Sequence, residues 1–108
     1  MMMTEYYLPI RTYSLTNIRL HWAAKAKRAK AQRKAAILVR GHAVPCTVIL
    51  TRVAPRLLDD DNLRGALKSV RDGVADRLGV DDRDPRVTWE YKQEKGKPKE
   101  YAVRVSVE

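Results

Sequence analysis

Leu63, Leu67, Val70, Val74 and Leu78 recur at spacings of 4, 3, 4 and 4 and stop at Gly79. That repeat is one apolar face of an α-helix, and a glycine just past it is a natural C-cap. Arg64, Lys68, Asp72 and Asp76 fall on the opposite face. The segments around this helix alternate instead. Tyr6, Leu8 and Ile10 read as a short strand, closed near an edge by Pro9 and Arg11. Val44–Val53 is apolar on both faces through Cys46, Val48, Ile49 and Leu50, which predicts a central strand ended by Pro55. Val87, Trp89 and Tyr91 alternate, Lys95–Gly96–Lys97–Pro98 turns, and Tyr101, Val103, Val105 and Val107 alternate again, predicting a terminal hairpin. Between the first two strands Ile18, Trp22, Ala26, Ala29, Ala36 and Ile37 recur at helical spacing. Ser14, Thr16 and Asn17 are candidate caps for that helix, and Gly41 its stop. The expectation is a single α+β domain over residues 1–108. Its order is β-α-β-α-β-β, with a mixed sheet, two helices and a C-terminal β-hairpin.

The 22 Lys and Arg residues against 13 Asp and Glu give a net charge of +9. Such a balance favours a polyanionic partner, with nucleic acid ahead of an anionic membrane surface. No apolar run approaches the roughly 20 residues of a spanning helix. Met1–Met3 leads directly into strand-like sequence, with no secretory pattern. These features predict a soluble cytoplasmic protein without a membrane partner. Cys46 has no second cysteine to pair with, so it reads as a buried core thiol, and neither a disulfide framework nor a zinc site is on offer.

Charge is also unevenly placed, for no acid occurs from Tyr6 to Leu58. Lys25, Lys27, Arg28, Lys30, Arg33 and Lys34 cover most of the first helix. Without acids to form i,i+4 pairs, phosphate contact is the functional reading and a solvated surface helix the plain one. Arg56 and Arg64, on either side of the acidic run, extend the candidate nucleic-acid surface. No helix-turn-helix or zinc-finger pattern is present, so branched shape rather than base sequence is the expected target. Lys92–Lys99 reads as a solvated turn, and His21 and His42 lie outside the acidic clusters.

Those clusters are Asp59–Asp60–Asp61–Asn62 before the second helix and Asp81–Asp82 with Asp84 after it. One carboxylate suffices to cap a helix, a contribution of about 1 kcal/mol. Adjacent extra carboxylates repel each other, and acids after a helix oppose its dipole. A hard divalent cation, Mg²⁺ or Mn²⁺, would offset both costs. The spacing of an EF-hand calcium loop is missing. In an extended segment Asp59 and Asp61 would point to one side, which makes them the candidate metal ligands.

Asp59-Asp60-Asp61-Asn62-Leu63, a helix holding Lys68 and Asp72, and then Val80-Asp81-Asp82 resemble the signature of the RusA-like Holliday junction resolvases. Asn17 and Trp22 before a basic helix are similar to that family's N-terminal half. The resemblance implies a small Mg²⁺-dependent homodimer, typical of phages and prophages, that nicks branched DNA in pairs during recombination or repair. Position by position it implies Asp59, Asp61 and Asp82 as catalytic metal carboxylates, Asp81 beside them, and Lys68 as the cationic helper. Gly65 stands where the family commonly has its lysine, and Leu57 and Leu58 stand where resolvase members often carry arginines. Asp72 can position Lys68 at i,i+4 or form a plain surface ion pair with it. A helix from Asn62 to Leu78 would separate the acid clusters by about 25 Å. Either it ends early, near Gly73, or Asp82 comes from a partner subunit. The rival reading is a non-catalytic nucleic-acid-binding protein whose aspartates cap helices or hold a structural ion.

Overall fold

A strand that is apolar on both faces belongs between two others, where its whole ladder is paired and its side chains are covered. In the computed structural model, which describes residues 4–11, 22–39 and 42–108 and the side chains of these except 22–25, that strand is β2 (Cys46–Ala54). It pairs in parallel with β3 (Val87–Lys95) and antiparallel with β4 (Ala102–Val107). β1 (Thr4–Leu8) pairs antiparallel with β4, so the sheet is mixed, in the order β1-β4-β2-β3. Val48 and Leu50 lie in register with Val107 and Val105 on one side and with Trp89 and Tyr91 on the other. That face is the core.

α1 (Trp22–Leu38) and α2 (Asp60–Leu78) cover this one face, which gives the α+β architecture and the element order predicted above. β1, β2 and β3 share one direction, because β1 and β2 are both antiparallel to β4 and β3 is parallel to β2. Each helix is therefore a crossover that runs back against the strands it joins, and the two helices run side by side in the same direction. Arg28 meets Ser69 and Gln32 meets Asp76 across that seam.

Three expectations are corrected. The last two strands are not a hairpin, because β2 lies between them. Residues 96–101 carry the chain past the end of β2, where the Gly96 amide donates to the Ala54 carbonyl at 2.8 Å. Alternation identifies a strand but not its neighbour, and this connection easily crosses two strand spacings, roughly 10 Å. The buried face of α1 is Ala31 and Ala35, continued by Val39 just past its end, whereas Ala26 and Ala29 are exposed and Ile37 is 69% exposed. A helix built of alanine and cations presents little contrast around its circumference, so packing chose the face. α2 begins at Asp60, which puts Asp60 and Asp61 inside the helix rather than in an extended lead-in. Ser14, Thr16, Asn17, Ile18, His21 and Gly41 lie outside the described residues, as does the side chain of Trp22.

The helices meet where α2 has no side chain. A Cβ on Gly73 would stand 2.2 Å from the Gln32 carbonyl oxygen and 3.0 Å from the Ala35 Cβ. Alanine is the better helix former by about 1 kcal/mol, but a backbone oxygen cannot move aside as a flexible side chain can. Gly73→Ala is expected to destabilise the domain by up to about 2 kcal/mol net, the overpacking cost less the helix gain. Urea unfolding of the variant checks this, and a midpoint at or above that of the wild type would contradict the close approach.

Candidate functional site

At the start of α2, Asp59 is the N-cap, with φ −69° and ψ 168°. Its Oδ1 accepts the Asn62 amide at 2.9 Å and its Oδ2 accepts the Asn62 side-chain amide at 3.1 Å. One residue thus takes up both carboxylate oxygens, and Asp59 does the capping work. Asp60 and Asp61 follow in the first turn, exposed and bonded to no side chain among the described residues. The dipole favours each of them modestly, and among the described residues no ion pair offsets their mutual repulsion.

The other end of α2 closes at Gly79, whose φ of 73° is the left-handed geometry that glycine adopts without strain. The Val80 amide reaches back to the Ala75 carbonyl and turns the chain. Asp81 then accepts the Arg83 amide at 2.9 Å. That amide, followed by a hydrogen bond shared with the Asp82 carboxyl, holds Asp81 below the usual carboxylate range. Asp82 pairs with Arg71 at 3.0 Å. Asp84 takes both a bidentate grip from the Arg86 guanidinium and the Arg86 amide, which pull its carboxyl down to about 2. The acids that would oppose the dipole are therefore each supplied with a donor. Gln32, Asp72, Ala75, Asp76, Val80, Asp81 and Asp82 line a shallow acidic depression of about 240 Å³ at this end.

Arg71 is the residue that the sequence reading missed. It joins Asp82 to Tyr91, donating to the phenolic oxygen at 2.8 Å, and so ties the segment after α2 back onto β3. Arg71 Nε and Trp89 Nε1 are buried and donate to no atom among the described residues. Lys68 and Asp72 form the expected i,i+4 pair at 2.8 Å, with the lysine side chain 44% exposed.

α2 runs unbroken for 19 residues, so the early end near Gly73 does not occur. Arg71, which holds Asp82, lies about three helical turns beyond Asp60, or roughly 16 Å along the axis. One protomer therefore keeps Asp59 and Asp61 apart from Asp81 and Asp82. Among the described residues no three Asp, Glu, His or Cys side chains are grouped to hold a metal ion.

The basic surface lies along α1. Lys27, Lys30, Arg33 and Lys34 are exposed, and the side chain of Lys25 lies outside the described residues. Arg28 differs from them, being half-buried with its Nε on Ser69 Oγ at 3.3 Å, so part of its role is to join the helices. Arg11, named from the sequence only as the close of the first strand, adds a cation to a groove of about 220 Å³ with Lys27, Lys30 and Lys34. Arg56 is exposed, and its carbonyl accepts from buried Arg52 at 2.7 Å. Arg64 lies 5.6 Å from the Tyr91 ring centroid, within cation–π range. His42 meets Tyr6 at 2.6 Å, away from both acid clusters. Cys46 is half-buried rather than fully buried, and burial pushes its thiol up.

No protein-family profile matches the chain. An uncharacterized protein of Xylella fastidiosa is 37% identical over 82 residues, covering 62% of this chain and 52% of that protein. The chain thus spans about half the length of the curated relative it matches. No helix among the described residues is long and apolar enough to cross a membrane.

The Asp84 grip yields a pH test. Its carboxyl titrates lower in the fold than the ordinary 3.8, so the ionised form stabilises the fold above about pH 4, and the stabilisation is lost as pH falls towards 2. The difference in unfolding midpoint between wild type and Asp84→Asn should be constant above pH 5 and close between pH 4 and 2. A difference that persists unchanged to pH 2 would refute the ion pair.

Proposed function

We propose that the protein is a Mg²⁺-dependent, structure-specific DNA endonuclease that works as a homodimer and cuts branched DNA such as a four-way junction. The observation that carries this reading is acid beyond what folding uses. Asp59 alone completes the cap, while Asp60 and Asp61 stay exposed and without partners among the described residues. The resemblance of Asp59–Leu63, Lys68, Asp72 and Val80–Asp82 to the RusA-like signature supports it, and so does the cationic face of α1.

The residues divide the work by position. Lys27, Lys30, Arg33 and Lys34, with Arg11, face solvent as a row suited to phosphates. Lys68, oriented by Asp72, offers an ammonium to a non-bridging phosphate oxygen where negative charge grows during hydrolysis. The carboxylates of one protomer do not converge, so they fit a metal only if Asp59 and Asp61 of one copy meet Asp82 of another. Mg²⁺ held there would activate water and offset charge on the phosphate.

A non-catalytic nucleic-acid-binding protein is the second reading. It is favoured by the capping role of Asp59 and the ion pair of Asp82, each of which accounts for one acid structurally.

Cleavage of a labelled four-way junction against a linear duplex, with Mg²⁺ and with EDTA, separates the two. Asp61→Asn should abolish Mg²⁺-dependent paired nicking and leave junction binding equal or tighter, since a charge facing phosphate is removed. Asp59→Asn should keep the cap and the folding midpoint yet lose cutting, whereas Asp59→Ala should also lose about 1 kcal/mol of stability. No cutting of either substrate by wild type, despite tight binding, establishes the binding-module reading instead. Affinity should fall steeply with salt, and replacing Lys30 and Lys34 by alanine should flatten the logarithmic salt slope by about 2.

A further inference from the structure

β3 lies at the margin of the sheet, with β2 its only neighbour among the described residues. An open edge of nine residues is long, and proteins ordinarily block such an edge or pair it. Its outward face carries Glu90 and Lys92, both exposed and bonded to no side chain among the described residues, while Glu94 is already paired with Arg104.

Two copies related by a two-fold axis pair antiparallel through such an edge only if one residue faces its own copy. A register shifted by one would turn hydrogen-bonded pairs into non-bonded ones. An axis at Glu90 opposes glutamate to glutamate, and one at Lys92 opposes lysine to lysine. An axis at Tyr91 sets Glu90 against Lys92 twice and matches Val87 with Lys95, so the whole strand is used. An axis at Gln93 leaves the strand's first four residues with no opposite residue in the strand. Charge and length together select Tyr91.

We infer that a second copy of this chain pairs antiparallel along β3 about an axis at Tyr91, joining the two sheets and completing each acid site in trans. The second clause rests on the endonuclease reading; the first does not. α2 runs against β3, and the second copy's β3 runs against the first, so the two α2 helices lie antiparallel on the same face. The first turn of each then points towards residues 79–84 of the other. Asp59 and Asp61 of one copy approach Asp81 and Asp82 of the other at both ends, giving two equivalent sites, as paired nicking requires.

The test uses the full chain. In sedimentation equilibrium the wild type should be dimeric. Glu90→Lys and Lys92→Glu should each raise the dimer Kd at least about tenfold, by opposing like charges twice across the axis. The double variant, with both charges exchanged, should return to near the wild-type value. Both positions are exposed, so circular dichroism should be unchanged throughout. A monomeric wild type, single reversals without effect, or a double variant that stays dissociated would each overturn the interface. A mixture of Asp61→Asn with Asp82→Asn chains tests the trans site. Each variant alone should be inactive, while the heterodimer regains one intact site and nicks one strand per junction. No recovery in a confirmed heterodimer, when wild type cuts, overturns the trans site. If wild type itself does not cut, the endonuclease reading fails and the mass data alone still judge the β3 pairing.

Discussion

Gly73 allows the backbone of α2 to come against the Gln32 carbonyl and Ala35, and the placement of the groups that α2 carries depends on that contact. It sets α2 beside α1 on the same face of the sheet, with Leu67, Val70 and Val74 in the core shared with the strands. The same placement brings Arg71 onto Tyr91 and Ser69 under Arg28. Both acid clusters are attached to the ends of this one rigid element, so their separation is set by its length. A helix that broke at Gly73 would have allowed them to meet within a chain. α2 instead runs unbroken through Gly73, so a site shared by both clusters would have to be built between chains.

Electrostatics follows the same division. At the C-terminal end of α2 the acids are matched locally, Asp84 by Arg86, Asp82 by Arg71 and Asp81 by a backbone amide. At the N-terminal end Asp59 is used in the cap, and among the described residues Asp60 and Asp61 have no side-chain partner. Among those residues the unmatched carboxylates of the two clusters thus lie at one end of α2, with a row of cations along the parallel helix beside it. Under the endonuclease proposal, repulsion between a DNA phosphate and Asp60 or Asp61 would be the obstacle for cations on α1, and a metal at the acids, to offset.

Much of the fold was legible because each element carried a strong local signal. The stripe from Leu63 to Leu78 located α2, and Gly79 its end. The double-sided apolar run located β2 in the centre of the sheet. Signals that depend on contrast failed where contrast was low: alanines surround α1, so Ala31 and Ala35 could not be told from Ala26 and Ala29. Of the candidate site, the Lys68–Asp72 pair was legible, because it is an i,i+4 relation within one helix. Arg71 was not, because its partners Asp82 and Tyr91 come from elsewhere in the chain, and nothing in local spacing announces them. Arg28 was taken as an outward cation for the same reason.

The sequence by itself determined the identity and order of the elements, the acidic residues on either side of α2 and the cationic character of α1, since these depend on periodicity, caps and charge along a short stretch. Only the tertiary structure decided which strands are neighbours, which face of α1 is buried and whether the two acid clusters meet. Those outcomes depend on how elements distant in the chain pack against one another. Residues 96–101 pass the end of β2 rather than folding back beside it, and the missing side chain at Gly73 lets α2 lie close to α1. Neither follows from residue pattern alone, because each is settled by what lies across the contact.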